Sequence, residues 1–297
     1  MFNEVDPPPP PPVYHLTMES VTIRVPATTS NLGPGYDCLG IALGLSNCVT
    51  ISRGAAGALP PIVADAGRAF FAGAKLPVFE FAWGIGGEVP QARGLGSSVT
   101  VRLGVMHGLN ELVGRPLDAT QIFELCAQLE GHPDNAAPAA FGGFTAARPG
   151  AETLRCEVAP ELKFVLLIPG FEVSTPEARR ILPDVLPRRD AVMSTANACR
   201  ITAAFTLKRY DLLRGCFADG LHQPYREPLV PFLSAAIAAG EKAGAIGGFL
   251  SGSGSTICCL TMSQPEEVAA AMLDTAPPGA HAVVTQADNQ GATILPA

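Results

Sequence analysis

The sequence predicts an α+β fold, and three observations carry that reading. A chain of 297 residues with 47% hydrophobic content is long enough to bury a sizeable core in one or two domains. Segments with strand-like alternation and segments with helical stripes both occur, without the strict strand–helix alternation of a parallel sheet. No fixed-period repeat is present that would turn the mixture into a solenoid.

Taken in order, "SVTIRVPA" at 20–27 alternates β-branched and polar residues as a half-buried strand does. "TTSNLGPGYDCLG" reads as a loop broken by its glycines and proline, and "IALGLSNCVTIS" as a second strand. Residues 63–74 have helical character, and "LPVFEFAWGI" returns to strand. The next helix carries two apolar stripes, Val101, Val105, Leu109 and Leu112, then Val99, Leu103, Met106 and Val113. It is predicted to be buried on most sides. Asp118, with Gln121 three residues on, makes a capping box that opens a helix through "QIFELCAQLE" with Ile122, Leu125, Cys126 and Leu129 turned inward. "GHPDNAAPAAFGGF" gives a loop and a short helix. The second half starts at "KFVLLIP", 163–169, and continues through helices around 190–208 and 230–243 to the glycine hairpin "GGFLSGSGSTICCL". A helix over 265–273 and strands near 281–286 and 292–295 finish it.

Composition narrows the function. The longest apolar runs, such as "FVLLI", are too short to cross a bilayer. A formal charge of −7 speaks against nucleic acid or an anionic membrane as partner, so an anionic substrate must be held by local groups. The eight cysteines are scattered without a C-x-x-C pair, as expected of reduced thiols in a cytoplasmic protein with neither a disulfide framework nor a zinc site. Residues 1–17, with six consecutive prolines, read as a disordered extension that lacks the pattern of a secretion signal.

The stretch "PQARGLGSSVT", 90–100, has the form of a phosphate-cradling turn that runs into a helix. Gly94 and Gly96 permit close backbone approach, and Ser97 or Ser98 is placed to cap the helix. No lysine stands where a Walker loop requires one. A helix end is worth only ~0.3–1 kcal/mol per charge, so Mg²⁺ is the expected supplement for a nucleoside triphosphate. A tight turn with no ligand would explain "GLGSS" alone equally well.

Three further segments change that balance. "PATTSNLGPGYDCLGIAL", "PQARGLGSS" and "LSGSGSTICCL" stand in the order of the three signature motifs of the GHMP kinases, with "EGHPDNAAPAAFGGF" between the second and third. Over roughly residues 20–297 the chain resembles this family, and within it the homoserine kinases. The resemblance implies a two-domain fold, with an N-terminal ATP-binding half over 18–160 and a C-terminal, ferredoxin-like, substrate-binding half over 161–297. It implies ATP and Mg²⁺ as cofactors, L-homoserine as the small-molecule acceptor, and a homodimer as the family's usual assembly.

Residue by residue, the resemblance gives Pro90, Arg93, Gly94, Leu95, Gly96, Ser97 and Ser98 to ATP, with Ser98 also on the metal. The metal carboxylate falls on Glu124, eight residues before His132; Glu130 competes and reads as a surface residue. Asn135 stands where mevalonate-type members carry a catalytic aspartate, so no strong general base is expected. That suits a loose phosphoryl-transfer transition state, which depends mainly on alignment and charge stabilisation. For the amino-acid substrate the resemblance implies Asn31, Asp37, His132, Asn135, Thr175, Arg179 and Arg226. Arginine's fork suits a carboxylate, and Arg180 is the alternative at the first position. Asn31 and Asp37 equally fit plain turn chemistry.

Departures from the pattern are Ser255 for a usual proline, Val99 and Thr100 for small residues, a shortened connection before residue 61, and Pro61 where an asparagine commonly touches the adenine side. Two alternatives share the motifs: a GHMP kinase for another small alcohol, and a catalytically silent ligand sensor. The arginine pair and Asn135 speak against mevalonate-like acceptors.

Overall fold

The computed structural model describes residues 19–54 and 57–296; the proline-rich stretch expected to be disordered lies outside the described residues. The chain runs β1 (Ser20–Ser30), β2 (Leu39–Arg53), α1 (Pro61–Ala74), β3 (Phe81–Gly87), α2 (Ser97–Leu112), α3 (Ala119–Glu130), α4 (Ala136–Phe141), β4 (Phe144–Ala146) and β5 (Leu154–Cys156). The second half contains β6 (Lys163–Ile168), α5 (Thr175–Arg180), α6 (Arg188–Thr206), α7 (Gln223–Arg226), α8 (Leu233–Lys242), β7 (Gly247–Leu250), β8 (Ile257–Thr261), α9 (Pro265–Leu273), β9 (His281–Gln286) and β10 (Thr293–Ile294).

The first sheet is built on the long antiparallel β1–β2 pair, in which Ser20 faces Ser52 and, beyond a bulge between Pro26 and Thr28, Ser30 faces Gly40. The far edge of β2 carries β3 along 47–53 and β4 along 39–41, and β5 follows β4. β1 therefore extends through "TTS", which the glycine-rich context had suggested was loop. Its pairing with Ile41 and Ala42 of β2 outweighs the local turn signal. The short β4, β5, α5 and α7 were not legible in the pattern.

One face of this sheet packs under the helices, with Ile23, Val49 and Ile51 against Val105, Leu109, Phe70 and Ile122. α2 is the central helix, as its two stripes predicted, and it comes very close to β2. A Cβ on Gly104 or Gly108 would lie 2.5 Å from the side chain of Val49 or Ile51. Two glycines cost a helix interior roughly 1 kcal/mol each; here they set the depth at which the helix sits. The Asp118–Gln121 capping box that opens α3 is present in both directions.

The second sheet has strand order β7-β8-β6-β9, all antiparallel, with α8 and α9 on one face. Strand, helices, two strands, helix and strand in this order make the ferredoxin-like arrangement. Its other face, with Phe164, Leu166 and Phe249, shares a core with Leu39, Ile41 and Leu43 of β2 and with Phe205 and Phe217. The two halves are thus joined by apolar packing. The chain end then returns to the first half: Asp288 pairs with Arg24 at 2.7 Å, and β10 pairs with β1.

Two histidines whose rings are withdrawn from water give the fold a pH dependence. Burial pushes His107 on α2 down to about 4, and its Nε2 has no partner. Burial pushes His222 to about 4 as well, with Arg226 acting in the same direction and Asp219 against it. Both titrate near 6.5 when unfolded, so the unfolded chain binds more protons between these values. Stability is therefore complete above pH 6.5 and falls toward pH 4, by up to about 1.4 kcal/mol per pH unit for each histidine. Thermal melting across that window should show the fall, and His107→Leu should make it shallower; identical slopes for the two proteins would contradict this account.

Candidate active site

The glycine loop meets the hairpin between β7 and β8 backbone to backbone. Gly94 and Gly96 have φ of +72° and +68°. A Cβ on Gly94 would lie 2.1 Å from the carbonyl oxygen of Ser251, and one on Gly96 2.1 Å from Thr28 Oγ1. Ser251 Oγ donates to the Gly94 carbonyl at 2.7 Å, and the Thr256 amide to the Arg93 carbonyl at 3.1 Å. Ser255, the residue in place of the usual proline, donates to the Phe171 carbonyl at 2.7 Å. No side chain caps α2, whose N-cap is Gly96 itself. The expected serine cap is absent because the helix already begins at Ser97, which leaves the cap position to a glycine; Ser98 Oγ, inside the first turn, donates to Glu130 Oε2 at 3.0 Å. The first amides of α2 are left for an anion.

Behind the loop, Asn135 is fixed by β1. Its Oδ1 accepts from Thr28 Oγ1 at 2.7 Å and its Nδ2 donates to Ser30 Oγ at 2.9 Å. Asp134 is buried, accepts from the Asn135 amide and grips His132 Nδ1. Burial alone would lower the His132 pKa, but the Asp134 hydrogen bond and charge outweigh it and raise it.

At the far side of the cavity stand two arginines in different states. Arg179 is bidentate to Asp37, at 2.7 and 3.1 Å, and donates to Tyr36 Oη at 3.1 Å. Arg226 is 2% exposed, and among the described residues no carboxylate pairs with it. Its Nε donates to the Ala178 carbonyl at 3.0 Å, and its Nη1 to the Gly252 carbonyl and His222 Nδ1, at 3.1 and 3.2 Å. His222 Nε2 lies 2.9 Å from the Gly33 carbonyl, which can only accept. The proton therefore sits on Nε2, and the bare Nδ1 is free to accept from Arg226. Both guanidinium carbons lie near the Tyr36 ring, 5.6 and 5.3 Å from its centroid.

The two arginines, Asp37, His132, Asp134 and Asn135 line one cavity of about 1110 Å³. It brings together Asn31, Asp37, His132, Asn135, Thr175, Arg179 and Arg226 with Arg93, Gly94, Gly96, Ser97 and Ser98. Thr175 Oγ1 lies 3.2 Å from Ser253 Oγ. Asn31 also shapes its own loop, accepting from the Asp37 amide and donating to the Gly252 carbonyl. The third stretch of wall is apolar, from Pro60, Ile62, Trp83, Ile85 and Val89; Pro61 itself is exposed and outside it. Asn47 is there too, with its amide committed to Thr100 and Val89.

Three expectations are corrected. Glu124 is exposed on α3 and faces away from the cavity, whereas Glu130 lines it and holds Ser98 and Arg102. The signal was present: Glu130 continues the buried Ile122–Cys126 stripe by one more helical turn, which makes it an acid on the apolar face. Leu95 is fully buried in the shared core and meets the cavity only through its neighbours, and Pro90 is not among the lining residues. Arg93 spends its guanidinium on the Pro169 and Gly170 carbonyls, so its part in the wall is structural. Arg180 faces a separate surface depression.

Comparison with known proteins places this geometry. The family model for the GHMP kinases N terminal domain matches residues 62–143, and that for the GHMP kinases C terminal matches 203–277. The homoserine kinase of Microchaete diplosiphon is 39% identical across 94% of this chain and 98% of its own length. That of Moorella thermoacetica is 38% identical across 84% and 90%. The crystal structure of homoserine kinase from Cytophaga hutchinsonii superposes with a TM-score of 0.85 over 96% of this chain and all of that one, at 24% identity, and bears on the fold alone. Sequence and fold agree: the chain belongs to the homoserine kinase family of the GHMP kinases.

Proposed function

We propose that this enzyme transfers the γ-phosphoryl group of ATP to the side-chain hydroxyl of L-homoserine, giving O-phospho-L-homoserine for threonine synthesis in the cytoplasm. The observation that carries the substrate is Arg226. A guanidinium buried without a carboxylate is costly, and here it lies beside an Arg179–Asp37 pair in the same cavity as an uncapped helix end. An amino-acid zwitterion resolves this arrangement. Its carboxylate takes Arg226 and Arg179, and its ammonium takes Asp37, so the internal pair is exchanged for two external ones. Asn31, Thr175 and His132 supply the remaining polar contacts.

The phosphates belong at Gly94–Ser98, where the α2 amides point, and the nucleoside lies along the apolar wall of Ile62 and Trp83. Ser98 Oγ and Glu130 Oε2, 3.0 Å apart, are hard oxygen donors that fit Mg²⁺. When bound there, the ion would neutralise charge on the phosphate oxygens. Asn135 cannot accept the hydroxyl proton usefully, and its amide is locked by Thr28 and Ser30; its part is to orient the acceptor. His132 is tied at Nδ1 to Asp134, whose hydrogen bond and charge raise its pKa against burial, so its part is to hold this loop in place. Alignment and charge stabilisation then carry the rate.

Magnesium-dependent ADP release with L-homoserine, L-serine, mevalonate and no acceptor tests the assignment: turnover with homoserine alone is expected, and turnover with mevalonate would discard the substrate site. Glu130→Ala should lower kcat by at least about 100-fold, as loss of a charge-stabilising group does. Glu124→Ala should stay within about twofold, the usual effect of a surface change; the reverse order would restore Glu124 to the metal. Arg226→Met should raise the homoserine KM by about 10–100-fold, the value of a charge-assisted hydrogen bond, while the ATP KM is unchanged.

A further inference from the structure

The glycine loop has no lysine; Arg93, directly before it, is spent on backbone carbonyls and Glu172, and the next cation stands one helical turn beyond Ser98. Arg102 follows Ser98 by four residues, so the two share a face of α2. Helical side chains lean toward the N-terminus, which carries this guanidinium back toward the loop. It lines the same cavity as Gly96, Ser97 and Ser98. The Arg102 side chain is 17% exposed and that of Glu130 10%. Arg102 Nη1 is held by Glu130 Oε1, on the carboxylate whose other oxygen takes the Ser98 hydroxyl. Among the described residues it makes no other hydrogen bond, and its Nε is buried without a partner. A purely structural arginine spends its donors on protein carbonyls, as Arg93 does on Pro169 and Gly170. Arg102 leaves most of its fork unused at the edge of an anion site.

We propose that Arg102 is the phosphate cation of this enzyme: held on Glu130 in the free protein, it passes to the nucleotide's phosphate oxygens when Glu130 is engaged by the divalent ion. The inference rests on the reading of the site as a nucleotide-dependent kinase. The exchange keeps charges paired. Glu130 trades one cation for another, and the guanidinium trades a carboxylate for a phosphate, which its planar fork grips equally well. Since no bond is made or broken, the effect is on phosphate binding and charge stabilisation.

Isothermal titration calorimetry with Mg²⁺ present, using ATP and adenosine on the wild type, Arg102→Met and Arg102→Gln, decides the matter. Both neutral variants should weaken ATP by about 10–100-fold and leave adenosine within about twofold, and Arg102→Lys should recover part of the loss. An ATP affinity within about threefold of the wild type overturns the proposal. So does an equal loss for adenosine, which marks a structural ion pair and nothing more. Arg102→Gln can still hydrogen-bond Glu130, so the comparison survives if Arg102→Met does not fold. A wild type that binds ATP but releases no ADP with L-homoserine would sink the functional reading while leaving this comparison intact.

Discussion

The site depends on segments that approach closely because glycine stands on one side of each contact. Gly94 against Ser251, Gly96 against Thr28 and Gly33 against Phe217 would each place a Cβ within 2.2 Å of an atom of the other segment. A methyl group at any of these positions would force the segments apart by more than an ångström. The phosphate loop, the β1 end and the β7–β8 hairpin come from three distant parts of the chain. Their contacts fix how far the α2 amides stand from Arg226 and Asp37, and hence where a phosphate and a hydroxyl can meet.

Electrostatics then divides the cavity into two ends. The chain carries a net charge of −7, so attraction for anions comes only from groups aimed inward. At the amino-acid end, two like-charged guanidiniums share the Tyr36 ring as a neighbour. Arg179 is neutralised by Asp37, while Arg226 is held by carbonyls and by the lone pair of His222. The difference matters because a paired arginine can exchange its partner at little cost, whereas an unpaired buried one draws a carboxylate in. At the phosphate end, Ser98, Glu130 and Arg102 form one linked set on two adjacent helices.

Much of this was legible in the sequence. Elements with sustained periodicity, such as α2 and α3, stood out because apolar residues repeat at helical spacing over several turns. Glycine-rich motifs located the cavity because close backbone approach leaves few alternatives at those positions. The failures have physical causes. The "TTS" segment is held as strand by its partner β2, and β4 and β5 are too short to show alternation at all. Glu124 was favoured by resemblance although its place on the helical wheel is solvated, and Glu130 was dismissed although it extends the buried stripe of α3. His222 lies in no periodic element; its value comes from the Gly33 carbonyl far away in sequence.

The return of the chain end to the first sheet bears on how the protein is made. Arg24 waits for Asp288, the Val158 backbone is met on both sides by Asn289, and Ile23 for Ile294. Domains generally fold as units while a ribosome delivers them from the N-terminus. Here the first unit is born with an open edge at β1 and a turn at Gly142–Gly143 that residues 288–290 later help to cover. A nascent chain therefore cannot complete its first sheet until residues 288–294 have been made, so the two sides of the cavity mature together and not in succession.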